Sequence, residues 1–153
     1  MIVVRVYGLL ITEQRQVLVS DEFIRGGYYT KFPGGGLEPG EGTRDCLQRE
    51  FMEEMNLRVQ VGQHLYTTDF FQQSAFNPAH QILSIYYYVQ ALEPFQVQFR
   101  QQPFDFAPEQ IINPTAEAEV FRLIDWEVFS PDALTLPIDK VVAQLVKEQP
   151  PFM

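Results

Sequence analysis

GGGLEPGEGTRDCLQREFMEEMNL, residues 34–57, is the stretch from which the rest of the chain can be read. It opens on three glycines after Pro33 and makes a second turn at Pro39-Gly40; such breaks let the backbone come close to another group. Thr43 is a suitable N-cap, so a helix is expected from about Arg44 to Met55. Cys46, Leu47 and Phe51 supply its apolar stripe, and Arg49, Glu50, Glu53 and Glu54 the opposite side. The three glutamates stand at i, i+3 and i+4 on one helix face, where like charges repel by a few tenths of a kcal/mol per pair. They also lie near the helix C-terminus, where the macrodipole prefers cations. A positive group is therefore expected against them, and a hard divalent metal with oxygen ligands is the natural candidate. Asn56 is placed to close the helix in the left-handed conformation, as the second choice after glycine.

Outward from this stretch, residues 2–11 are β-branched and aromatic and predict a buried strand. A polar turn at residues 13–16 leads to a short strand at 17–20, a loop at 21–27 carrying Arg25, and an extended segment at 28–32, since Phe32 precedes a proline. Beyond the helix the chain is mostly extended to about Phe71, with Gly62 as a bend. Residues 74–80 read as a loop. Residues 82–91, ILSIYYYVQA, carry the strongest strand signal. Residues 93–114 hold several prolines and an alternating FQVQF, which suggests a short strand beside a surface loop. A strand is expected at 119–124, and a terminal helix at 137–148 with Pro137 near its first position. The whole is read as one mixed α/β domain over residues 1–153.

Composition limits the partners. With 153 residues the chain can bury a proper core. Its net charge of -9, with no cluster among its 11 lysines and arginines, disfavours a polymeric nucleic acid. A small polyanion bound through metal is compatible with that charge, because the cation changes the local electrostatics. Cys46 is the single cysteine, which points to a reducing, cytoplasmic setting. The apolar start, MIVVRVYGLLI, is interrupted by Arg5 and too short for a bilayer, so no membrane association is expected.

The central stretch resembles the Nudix box, G-x5-E-x7-R-E-U-x-E-E-x-G-U with U apolar. Gly35, Glu41, Arg49, Glu50, Phe51, Glu53, Glu54 and Leu57 match, and Asn56 replaces the second glycine. At about one in sixteen per position, six matched polar or glycine positions arise by chance at roughly 10⁻⁷ of start sites. The substitution falls where Asn also adopts the left-handed conformation, and it leaves the carboxylates untouched.

The resemblance implies a Nudix-like α/β/α sandwich with a mixed β-sheet. It implies a hydrolase that cleaves a diphosphate linkage in a nucleotide derivative: a nucleoside triphosphate, ADP-ribose or another nucleotide sugar, or a dinucleotide. By position, Glu50, Glu53 and Glu54 resemble the box's Mg²⁺ ligands, with the Gly34 carbonyl as a further ligand and Mn²⁺ as a substitute ion. Arg49 and Glu41 look like the pair that ties loop to helix and orients the carboxylates. The general base varies within the family; Glu117 leads the candidates here, beside Glu119, Glu109, Glu50 and Glu54. Arg25, Lys31, Gly35, Gly36 and His80 are candidate substrate contacts. A homodimer is also implied. Two other readings stand beside this one: a non-catalytic nucleotide sensor on the same domain, and an enzyme acting on a non-nucleotide diphosphate.

Overall fold

The computed structural model describes residues 1–152. The chain forms two compact units. One comprises Met1–Leu10 and Pro33–Gln96; the other comprises Ile11–Phe32 and the chain from Val97 onward.

The first unit is a four-stranded mixed sheet carrying one helix. Its strands are β1 (Ile2–Leu10), β4 (Gly34–Gly36), β5 (Val59–Thr67) and β6 (Gln81–Ala91), in the order β4-β1-β6-β5. β1 runs parallel to β6, and the other pairings are antiparallel. Helix α1 (Thr43–Met55) buries Cys46, Leu47, Phe51 and Met55, the apolar stripe expected from the sequence with one residue added. It meets the sheet at Gly8: a Cβ there would stand 2.7 Å from Val89 Cγ2 and 2.9 Å from Phe51 Cε1. Only a residue without a side chain lets the Phe51 ring settle on β1, and full burial of such a ring contributes on the order of 1.5–3 kcal/mol. Asn56 closes α1 at φ 50, ψ 43, its N–H donating to the Met52 carbonyl at 2.9 Å. Edge strand β5 slips register on either side of His64, a bulging that keeps an exposed edge from templating further pairing.

The second unit is an antiparallel sheet in the order β3-β2-β7, built from β2 (Gln16–Ile24), β3 (Gly27–Lys31) and β7 (Ala118–Asp125). It also contains helix α2 (Pro137–Glu148), whose bounds agree with the sequence reading. Here the loop expected at 21–27 is corrected. β2 runs on to Ile24, and only Arg25 and Gly26, both at positive φ, turn the chain into β3. Positive φ at both central residues is the two-residue hairpin turn that suits the twist of the strands. The charge at Asp21 does not end the strand because it is neutralised internally. Its carboxylate accepts from Arg122 Nε and Nη2 at 2.5 and 2.9 Å, from Thr30 Oγ1 at 2.7 Å and from the Phe104 N–H at 3.2 Å. The FQVQF segment makes a single parallel bridge, Phe99 to Phe121, in place of the expected short strand.

No helix among the described residues is long and apolar enough to cross a membrane.

Candidate active site

The glycine stretch becomes strand β4, paired with β1 so that Gly34, Gly35 and Gly36 oppose Tyr7, Val6 and Arg5. The first of these positions requires glycine, and the second is closely approached by a side chain. Gly34 has φ +151, and a Cβ on it would stand 2.0 Å from the Val6 carbonyl oxygen. At Gly35 a Cβ would stand 2.4 Å from Glu50 Cδ and Oε1. The Glu50 carboxylate therefore lies directly on the Gly35 backbone, bringing a helix carboxylate and a loop peptide together.

Helix α1 starts one residue earlier than expected, with Gly42 and not Thr43 as the N-cap. The Gly42 N–H donates to Asp45 Oδ2 at 3.1 Å, and the Thr43 hydroxyl is engaged with the Tyr87 hydroxyl at 2.6 Å. Thr43 is thus taken by the sheet, and Asp45 supplies the cap.

Arg49 organises the site. Its Nε and Nη2 donate to the two oxygens of Glu41 at 3.0 and 2.7 Å, a bidentate pair with the directionality of guanidinium on carboxylate. Nη2 also donates to the Gly36 carbonyl at 3.0 Å, which ties helix to loop. Nη1 donates to Glu50 Oε1 at 3.1 Å and to Glu53 Oε2 at 3.2 Å, with Glu38 3.7 Å away. The cation required by the acidic face is therefore partly supplied from the same helix. The hydrogen bond from Arg49 chiefly holds the Glu41 carboxyl at about 2, well below the usual carboxylate range, against the opposing effect of desolvation. Arg49 in turn is kept protonated more firmly, first by Glu41. Cys46, beneath this network with Sγ 3.5 Å from the Gly36 carbonyl oxygen, is pushed up to about 12, mainly by burial and next by Glu41.

Among the described residues no group of three or more His, Cys, Asp or Glu side chains is gathered closely enough to hold a metal ion. The donor set is nevertheless suited to one. Glu50, Glu53 and Glu54 share one side of α1, Glu54 keeps Oε2 buried, and Glu50 rests on the Gly35 backbone. Carboxylate and carbonyl oxygens are ligands for hard cations such as Mg²⁺ or Mn²⁺.

The other candidates fall elsewhere. His80 precedes β6, its Nε2 3.3 Å from Asn77 Nδ2, and lines a cleft of about 300 Å³ with Met1, Ile2 and Phe71. It stands four residues before Ser84, the residue paired with Arg5, and so about 13 Å along the strand from the row that contains Gly36. In the second unit, Lys31 is buried with Nζ 3.6 Å from Glu22 Oε2. The Ser20 hydroxyl lies beside it, 3.0 Å from Glu22 and 2.7 Å from Glu119. Arg25 is exposed at the β2–β3 turn; Glu117 is exposed just before β7, and Glu109 is exposed in a 3₁₀ turn at Pro108–Gln110. Sequence reading passed over Ser20 and Glu22, and it took Arg5 only as a break in an apolar run. The signal available for Arg5 was a charge inside a strand otherwise built to be buried.

A family model described as the NUDIX domain matches residues 1–149. This chain belongs to the Nudix hydrolase family. Its fold is similar to that of solved Nudix structures. A Nudix hydrolase from Nitrosomonas europaea superposes with a TM-score of 0.68 at 16% identity, covering 97% of this chain and 90% of that one. The MutT protein from Methanosarcina mazei Go1 gives 0.65 at 14% identity, covering 97% and 96%. An ADP-ribose pyrophosphatase from Streptococcus suis gives 0.54 at 14%, covering 98% and 94%. At these identities the likeness is one of fold, and the Nudix residues of this chain must be judged on their own geometry.

Proposed function

We propose that this Nudix hydrolase cleaves the diphosphate linkage of a nucleoside diphosphate derivative, with Mg²⁺ as its cofactor and residues 1–153 acting as one functional domain. The observation that carries this reading is the Arg49 network, which pins the glycine strand to the acidic helix and leaves Glu50 lying on the Gly35 backbone. Named solved relatives include a UDP-X diphosphatase and an ADP-ribose pyrophosphatase, which supports a nucleotide substrate class.

In this reading Glu50, Glu53 and Glu54 hold the cation, with the Gly34 carbonyl as a further oxygen ligand. Bound there, a divalent ion supplies neutralisation of the phosphoryl oxygens and a lowered pKa for coordinated water. The chain's own contribution is positional. Arg49 and Glu41 fix the helix against the loop, so that carboxylates and backbone meet the diphosphate without rearranging. The proton of the attacking water goes to a carboxylate. Glu117 and Glu119 are the leading acceptors; Glu119 has its carboxylate fixed by Ser20, while Glu117 is exposed. The single cysteine supports a cytoplasmic setting, and a homodimer is proposed by family likeness.

The test is a Mg²⁺-dependent activity screen over nucleoside triphosphates, ADP-ribose, nucleotide sugars and dinucleotides, with products identified. Release of a nucleoside monophosphate is expected. Glu53→Gln and Glu54→Gln are expected to lose several orders of magnitude in kcat with little change in Tm. Equal turnover in the wild type and both variants would overturn the ligand assignment.

A further inference from the structure

We propose that Arg5 is a substrate-binding residue that takes the phosphoryl group flanking the one attacked. This inference rests on the hydrolase reading above.

Successive residues of a strand face opposite sides of its sheet, and in β4 this alternation separates two chemistries. Gly35 presents its missing side chain to the Glu50 carboxylate. Gly36 presents its own to Arg5: among the described residues, its chain neighbours aside, the heavy atom within 4 Å of a Cβ built there is Arg5 Nη1, at 3.9 Å. One face of the strand thus carries the carboxylate of the acidic helix, and the other a guanidinium. β4 is also the end strand of its sheet. A diphosphate lying along that edge has the carboxylate side for one phosphoryl group and the guanidinium side for the next.

Arg5 is prepared for such a role. It is half-buried, sits across the ladder from Gly36 on one side and Ser84 on the other, and donates from Nε to the Tyr7 hydroxyl at 2.6 Å. Its guanidinium carbon lies 5.7 Å from the centre of the Tyr7 ring. That ring is itself buried, 5.3 Å from Tyr86. A rigid phenol therefore sets the angle of the guanidinium, and the Nη1 end is directed toward Gly36. Guanidinium held in one orientation loses little entropy on binding phosphate oxygens and matches them with parallel N–H donors.

Two variants test the assignment from opposite sides of the gap. Arg5→Ala should raise KM for the best diphosphate substrate about tenfold or more with kcat largely unchanged, since hydrogen bonds to charged groups act on binding. Arg5→Lys should recover part of the loss. Gly36→Ala adds a methyl that the fold has room for but that enters the space before Nη1, so KM should rise while Tm stays constant. If Arg5→Ala lowers Tm, the Gly36→Ala result decides. Calorimetric titration with methylenediphosphonate in Mg²⁺ should show the same weakening without turnover. A wild-type KM and Kd in both variants would overturn the role of Arg5 while leaving the hydrolase reading intact. A wild-type protein that hydrolyses no diphosphate and does not bind the probe would overturn both.

Discussion

Arg49 faces four glutamates, and the strongest of these contacts, the bidentate pair with Glu41, has a pH signature with a definite sign. Glu41 is depressed from 4.5 to about 2 in the folded chain. A carboxyl depressed on folding adds stability that is fully present above its unfolded value and is lost as pH falls through the folded one. The difference in Tm between wild type and Glu41→Gln should therefore be constant near neutrality and shrink from about pH 4.5 down to about pH 2; thermal melts across that range measure it. Cys46 gives a second residue-level prediction. With its thiol pushed up to about 12 and fully buried, it should resist iodoacetamide at pH 8 in the folded state and react at once in denaturant, as counted by mass spectrometry. The pair of Arg49 with Glu41 was legible through the resemblance to the Nudix box, since it joins loop to helix, while the reach of Arg49 to Glu53 follows from i, i+4 neighbours sharing a helix face. The place of Arg5 was not, since it depends on a glycine 31 positions later in the chain.

Elements were readable where their periodicity was local. The apolar stripe of α1, the run that became β6 and the proline-started α2 needed no distant partner to be recognised. β2 failed at Asp21-Glu22, because two adjacent charges argue for a loop and the arginine that neutralises Asp21 lies 101 residues away. FQVQF failed for the converse reason: its alternation is that of a strand, yet only Phe99 finds a bridging partner. The contact of α1 with the sheet can be tested at Gly8. Gly8→Ala should destabilise by about 1–3 kcal/mol, the usual cost of overpacking, through the clash with Phe51 and Val89. Asn56 makes the complementary case. Asn56→Ala should lose about 1 kcal/mol from forcing an alanine into the left-handed conformation, whereas Asn56→Gly should stay near wild type. Chemical denaturation of the three variants checks both.

For the whole chain the deciding quantity is charge. A net charge of -9 repels itself, so any salt stabilises the folded protein somewhat by screening. A divalent ion bound at Glu50, Glu53 and Glu54 must do more than that, since it binds the folded state alone and competes with Arg49 for two of its three carboxylates. At a hundredfold excess over Kd such binding adds about 2.7 kcal/mol. For a chain of 153 residues this corresponds to a rise in Tm of roughly 5–11 °C. Melts in MgCl₂ should therefore exceed melts in NaCl of equal ionic strength by that margin for the wild type. Glu53→Gln and Glu54→Gln should keep the screening increment and lose the excess. Equal shifts with the two salts in the wild-type protein would mean that the acidic face answers to ionic strength alone, with Arg49 its sufficient counterion.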